Sequence, residues 1–81
     1  MHRNKRLIRI GRNTLTRSRA SIRRDRSQWV LAPVLNGERT FLGVYRTPQE
    51  AGHAWHVAAD LLSMNISPTI GSISDRLHQE L

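Results

Sequence analysis

Short apolar runs bounded by turn-forming residues occupy the middle of the chain and predict a β-meander. The first is ASIRR (20–24), and the second is WVLAPVL (29–35), which is apolar on both faces. The pair Asn36-Gly37 follows and favours a tight type I′ hairpin, because both of its central positions need positive φ. A third run, ERTFLGVY (38–45), completes a predicted three-stranded antiparallel sheet.

Alternation along the third run assigns its side chains to two faces. Leu42 and Val44 share one face, which we expect to pack on a helix, whereas Arg39 and Phe41 share the other. On the second run, the positions expected to point away from the helix are Val30, Ala32 and Val34. An apolar sheet surface of this kind is rarely left bare and often marks an interaction site.

A helix is predicted to begin directly after the third run. Thr47 can cap it, Pro48 suits its first turn, and Glu50 completes a capping box. Small and large apolar residues then recur at helical spacing up to about Met64. The stripe comprises Ala51, Ala54, Trp55, Ala58, Leu61 and Leu62. The body at 19–64 is therefore expected to be α+β, with one three-stranded sheet packed on one amphipathic helix.

The C-terminal segment 65–81 is predicted to be a connector followed by a short helix that Ser72 caps. Ile73, Leu77 and Leu81 form one apolar edge of this helix. That edge either returns to the body or meets a protein partner.

The positive charge is concentrated at the N-terminal end. The 81 residues carry a formal net charge of +7, and residues 1–26 contain ten cations against Asp25 alone. We interpret 1–18 as a basic flexible arm, and this asymmetry is typical of a protein that meets a polyanion. The candidate contacts in this region are Arg3, Lys5, Arg6, Arg9, Arg12, Arg17, Arg19, Arg23, Arg24 and Arg26.

Size and composition narrow the remaining possibilities. The chain suits a single small domain, and without cysteines it has neither disulfides nor a thiolate metal site. No apolar run approaches the length of a membrane span. We expect a cytoplasmic, nucleoid-associated protein; the Arg-rich, acid-poor N-terminus is also the composition of a mitochondrial transit peptide, which is the alternative.

The segment RTFLGVYRTPQEAGHAWHVAA (39–59), with the hairpin before it, resembles the ethylene-response-factor (Apetala-two) type of DNA-binding domain, which has phage and bacterial relatives. The resemblance covers about residues 20–62. It implies a sheet that enters the DNA major groove with the helix as backing. It also implies that Arg23, Arg39 and Phe41 face the DNA.

Other chemistry is weakly indicated. His53, His56 and Asp60 share one side of the predicted helix, which is more typical of a solvated polar face than of a zinc site. No nucleophile with a base and no phosphate loop is recognisable, so we expect no enzyme, no cofactor and no small-molecule substrate. The leading hypothesis is a small regulatory or architectural protein that binds double-stranded DNA. The alternatives are a protein-interaction module, such as a homo-oligomer or an inhibitor of a host enzyme, and an RNA- or ribosome-binding protein.

Overall fold

A computed structural model describes residues 6–17 and 21–79, with only the backbone at Arg6 and Arg17. This part of the chain is α+β, as predicted. The strands are β1 (Arg6–Ile10), β2 (Asn13–Arg17), β3 (Ile22–Asp25), β4 (Gln28–Leu31), β5 (Val34–Leu35), β6 (Glu38–Arg39) and β7 (Gly43–Tyr45). The helices are α1 (Pro48–Ser63) and α2 (Ile70–Gln79).

The strands form two antiparallel sheets, so the prediction of a single three-stranded sheet is wrong. One sheet has the order β1-β2-β5-β6 and the other β3-β4-β7. The predicted meander survives in the second sheet, which contains parts of all three predicted runs. The second and third runs each break in the middle. The halves next to Asn36-Gly37, which are β5 and β6, join the first sheet, because a hairpin formed by β1 and β2 pairs with β5.

That β1–β2 hairpin lies within the segment that the sequence suggested was a flexible arm. Its five residue pairs run from Arg6 with Arg17 to Ile10 with Asn13. Gly11 turns the chain with a φ of 59°. Residues 6–17 therefore belong to the folded body. A flexible arm was expected over 1–18, whereas Gly11 and Arg12 form a tight turn between two paired strands.

The hairpin is attached to the C-terminal end of α1 through Asn65. Asn65 has a φ of 60°, and its N–H donates to the Leu62 carbonyl while the Ile66 N–H donates to Leu61, a paired arrangement that ends the helix. The Asn65 side-chain oxygen also accepts a 2.9 Å hydrogen bond from the Arg12 N–H in the β1–β2 turn. One residue thus both caps α1 and holds the hairpin.

The Asn36-Gly37 turn between β5 and β6 is confirmed. Asn36 and Gly37 have φ values of 53° and 82°, as a type I′ turn requires. The neighbouring strand β2 also holds this turn: the Asn36 N–H donates to the Thr14 carbonyl at 2.7 Å, and the Thr14 N–H donates to Asn36 Oδ1 at 2.8 Å.

Helix α1 begins where its sequence predicted. Thr47 Oγ1 accepts from the Glu50 N–H at 3.1 Å, and Glu50 Oε1 accepts from the Arg46 N–H at 3.1 Å, one residue before the cap. These two bonds satisfy the N–H groups of Glu50 and Arg46 at the start of the helix. The buried stripe of α1 consists of Ala51, Ala54, Val57, Ala58, Leu61 and Leu62.

Helix α2 begins earlier than predicted, because Thr69 rather than Ser72 is its cap. The Ser72 N–H donates to Thr69 Oγ1 at 3.0 Å, and the Thr69 N–H donates to Ser72 Oγ at 2.9 Å. Ile73 is fully buried, and Leu77 packs against the same core. The apolar edge of α2 therefore returns to the body at these two positions, and Leu81 lies outside the described residues.

Two apolar clusters join the sheets to the helices. Leu31 and Leu42 pack with α1 and Ile73 in the larger cluster, and Leu15 and Leu35 pack with Leu62 in the smaller one. Trp55 on α1 contacts both clusters, as befits its expected role in the core.

Candidate nucleic-acid interface

The sheets turn one face to the helices and the other away from them. We call the second the outer face. Leu31 and Leu42 lie in the core with α1, so strand alternation directs Val30 and Ala32 outward. Cross-strand register extends this face over both sheets, from Leu7 and Arg9 on β1 to Val44 on β7.

A one-residue bulge between β6 and β7 changes the predicted faces. The Leu42 N–H donates to the Leu31 carbonyl at 2.7 Å, while Leu31 is paired in register with Gly43. Leu42 and Gly43 therefore both stand opposite Leu31 and both face the core. Gly43 has a φ of 126°, a conformation that side chains rarely adopt. As a result Phe41 and Val44 both point outward.

The bulge corrects the assignment of Val44. We expected Val44 to share the helix-facing side with Leu42, but Leu42 is 1% exposed and Val44 is 43% exposed. Phe41 is 53% exposed and lies on the outer face as predicted. Strict alternation failed at Val44 because one inserted residue reverses every later side chain on the strand.

An apolar patch forms on the outer face from Val30, Ala32, Phe41 and Val44. Val30 pairs directly with Val44. Thr40 and Leu42 donate to the Pro33 and Leu31 carbonyls respectively, so Phe41 stands opposite Ala32.

The solvent-facing part of this apolar patch differs from the prediction. Val30 and Ala32 are each only 8% exposed, and Val34 is half-buried, so these three do not form the open surface expected of them. Phe41 and Val44, on the adjoining strand, supply the exposed apolar groups instead.

Exposed arginines share the outer face with the apolar patch. Arg23 is exposed on β3 in the same cross-strand row as Val30 and Val44. Arg39 is exposed in the row of Val34, and its Nη1 donates to the Ala32 carbonyl at 2.8 Å, so its side chain extends toward the patch. Arg9 is exposed on β1.

The outer face carries little opposing charge within the part of the chain that is described. Asp25 is its one carboxylate by strand alternation, and it lies two residues beyond Arg23 at the end of β3. Arg46, which the sequence analysis did not single out, is exposed directly after β7. Its position near Val44 in the sequence would have made Arg46 a candidate only if the bulge had been known.

The other predicted arginines are not all on this face. Arg12 is exposed in the β1–β2 turn, beside the end of α1. Arg24 alternates to the opposite side from Arg23, and its Nε donates to the Arg26 carbonyl at 2.9 Å. Arg3, Lys5 and Arg19 lie outside the described residues, and the side chains of Arg6 and Arg17 are likewise not described.

The histidine side of α1 offers no metal site in the described structure. Within residues 6–17 and 21–79, no group of three or more acidic or histidine side chains is arranged to hold a metal ion. Asp60 instead forms a salt bridge with Arg76, which ties α1 to α2. Neither of the two described helices is long and apolar enough to cross a membrane.

The molecule is a thin slab, with Cα extents of 42 × 32 × 16 Å, so the outer face is broad relative to the thickness of the fold. We compared the chain with protein-family models, curated proteins and solved structures, and none matches it.

Proposed function

We propose that this protein binds double-stranded DNA through the outer face, as a small regulatory or architectural protein of the kind found in phages and bacteria. The observation that carries the proposal is the combination of a sheet face on which neither described helix packs, the exposed arginines Arg9, Arg23 and Arg39, and the exposed Phe41 and Val44 on the same face. Arginine donates two hydrogen bonds in parallel to phosphate or guanine, which suits it to both backbone and base contacts.

The dimensions of the second sheet suit the major groove. Its three strands span about 10 Å between the outer backbones, because neighbouring strands lie about 4.8 Å apart. The major groove of B-form DNA is about 12 Å wide and admits strands as well as helices. Arg23 and Val44 lie at opposite ends of one cross-strand row, on the edge strands β3 and β7, so each would lie near one wall of the groove with Val30 between them.

Net charge gives independent support. The chain carries a formal charge of +7, and the cations of residues 1–5 and 18–20 add to those on the outer face. If about six phosphates are neutralised, the logarithm of the binding constant falls with the logarithm of salt concentration with a slope near −5. The resemblance to the ethylene-response-factor (Apetala-two) type of domain also favours DNA contacts by Arg23, Arg39 and Phe41.

Fluorescence anisotropy with a labelled mixed-sequence duplex, repeated over about 50–200 mM salt, tests the proposal. Arg23→Gln is the informative variant, because Arg23 is exposed and no fold contact is expected to depend on it. We expect its slope to become shallower by about one unit and its affinity to fall. Arg12→Gln is the matched control, since it removes the same charge from a turn that lies away from the outer face.

Failure of the full chain to bind duplex DNA, or binding that does not respond to salt, would refute the proposed function. Equal effects of Arg23→Gln and Arg12→Gln would refute the assignment of the outer face. Circular dichroism of both variants checks that each retains the fold.

A protein-binding function is the second candidate, and the exposure of Phe41 and Val44 is the observation that favours it. Val44→Lys distinguishes the two functions, because added positive charge maintains or strengthens binding to DNA but disrupts an apolar protein interface. Val44 is preferable to Val30 for this test, since Val30 is buried and a lysine there would disturb the fold.

RNA is the third candidate, and the shape of the outer face argues against it as the main ligand. The major groove of A-form RNA is deep and narrow, so a three-stranded sheet fits it poorly. Competition of structured RNA against the labelled DNA duplex measures the preference directly.

A further inference from the structure

The exposed apolar patch is an unusual feature for a protein surface that binds a polyanion. Phe41 and Val44 are 53% and 43% exposed; Arg39 lies two residues before Phe41 in the chain, and Arg23 lies across Val30 from Val44. Phosphates and sugars make contacts around a groove, but an apolar side chain that faces the base pairs has few partners there. The bulge opposite Leu31 creates this arrangement by turning Val44 outward to join Phe41.

Base edges in the major groove present mostly hydrogen-bonding atoms. The exception is the C5-methyl group of thymine, which is apolar and projects into the groove. A methyl group at the same C5 position of cytosine presents the same chemistry. Uracil and unmodified cytosine lack that methyl group and offer the patch nothing apolar to bury.

From this geometry we infer that Phe41 and Val44 read the C5-methyl groups of pyrimidines in the major groove. The inference rests on the proposed function and deepens it, since it assigns the source of base discrimination to the apolar patch. Arg23 and Arg39 orient the sheet, and the methyl group fills the space between the exposed apolar side chains. Duplexes with methylated pyrimidines are then the preferred ligands.

Two pairs of duplexes test the inference with the full chain. In the first pair, alternating adenine–thymine DNA is compared with the same duplex containing deoxyuridine in place of thymidine. In the second, a cytosine-containing duplex is compared with its 5-methylcytosine form. Burial of one methyl group changes a dissociation constant about fourfold, so we expect at least that ratio in one pair.

Variants assign the effect to particular side chains. Val44→Thr keeps the β-branched shape but replaces a methyl with a hydroxyl, and Phe41→Ala removes the ring. Each is expected to reduce the ratio toward one while salt-dependent binding remains. Leu7→Thr is the matched control, because Leu7 is 74% exposed on the same face but lies on β1, outside the patch.

The outcomes separate the inference from the function on which it rests. Preference in the thymine pair alone assigns the ligand to thymine, and preference in the cytosine pair alone assigns it to 5-methylcytosine. Salt-dependent binding with a ratio of one in both pairs overturns the inference and leaves the proposed function standing. A ratio that Val44→Thr and Phe41→Ala leave unchanged also overturns it. Absence of binding to all four duplexes refutes the proposed function itself.

Discussion

Gly11→Ala is the sharpest test of the way in which the β1–β2 hairpin is held against α1. A Cβ atom at Gly11 would lie 2.5 Å from Asn65 Oδ1 and 2.7 Å from the Leu62 carbonyl oxygen. The Leu62 oxygen is part of the helix backbone and cannot rotate away. The hairpin turn must therefore move away from the end of α1, and the hydrogen bond from the Arg12 N–H to Asn65 is lost or weakened.

The expected magnitude has two parts. Gly11 has a φ of 59°, and a left-handed conformation costs an ordinary residue about 1–2 kcal/mol. Loss of the hydrogen bond, which is exposed, adds about 0.5–1.5 kcal/mol. We therefore expect the free energy of unfolding to fall by about 1.5–3.5 kcal/mol, a large fraction of the stability of so small a domain.

Gly37→Ala provides the control for backbone strain alone. Gly37 also has a positive φ, 82°, but a Cβ there would meet nothing within 4 Å. The decrease in the free energy of unfolding should therefore be limited to about 1–2 kcal/mol for Gly37→Ala. Urea denaturation followed by tryptophan fluorescence measures both variants, because Trp55 packs against the cluster that the hairpin covers.

Hydrogen exchange shows whether Gly11→Ala loosens the hairpin selectively. We expect Gly11→Ala to increase the exchange rate of the Thr14 amide, which belongs to β2, more than the exchange rates of amides in the centre of α1. If Gly11→Ala costs no more than Gly37→Ala, the close docking of the hairpin on α1 is wrong. Arg9 and Leu7 would then not be held firmly on the outer face.

Three further measurements test the packing and capping described above. Ile73→Ala should lower the free energy of unfolding by about 2–5 kcal/mol, because Ile73 is fully buried, and urea denaturation measures this loss; an effect below 1 kcal/mol would contradict the docking of α2. Thr47→Ala should cost about 1 kcal/mol in the same assay, whereas Thr47→Ser, which keeps the capping oxygen, should cost less. Burial raises the pKa of Tyr45 above its ordinary value of 10.0, so the folded protein keeps the phenol proton at pH values where the unfolded chain has lost it. Stability should therefore be constant with respect to this group below pH 10 and fall as the pH rises through the folded pKa, and Tyr45→Phe should remove that decline; absorbance titration of Tyr45, the chain's one tyrosine, follows the ionisation directly.

Local sequence signals were sufficient wherever structure depends on adjacent residues. Asn36-Gly37 formed the predicted turn because positive φ is a property of those two residues. Thr47 and Glu50 marked the start of α1 because a cap satisfies donors within a single turn. The structure has three of the predicted contacts exposed on the outer face, namely Arg23, Arg39 and Phe41. Their contact with DNA stays a prediction.

Tertiary contacts decided the rest. The bulge at Leu42 and Gly43 allows Leu42 to pack in the core opposite Leu31. Alternation along the strand carries no information about this packing. The bulge is the reason why Val44 belongs to the candidate interface. The sequence likewise placed Gly11 in a flexible arm, and only its approach to Leu62 and Asn65 makes it the point at which the hairpin joins the body.

The sequence by itself determined the α+β class, the hairpin at Asn36-Gly37, the capped start of α1 and the excess of positive charge, because each follows from neighbouring residues or from composition. Only the tertiary structure decided that β1 and β2 form a sheet with β5 and that Val44 faces outward beside Phe41. Those features depend on which distant side chains compete for a small core, and competition between distant residues is not expressed in local pattern.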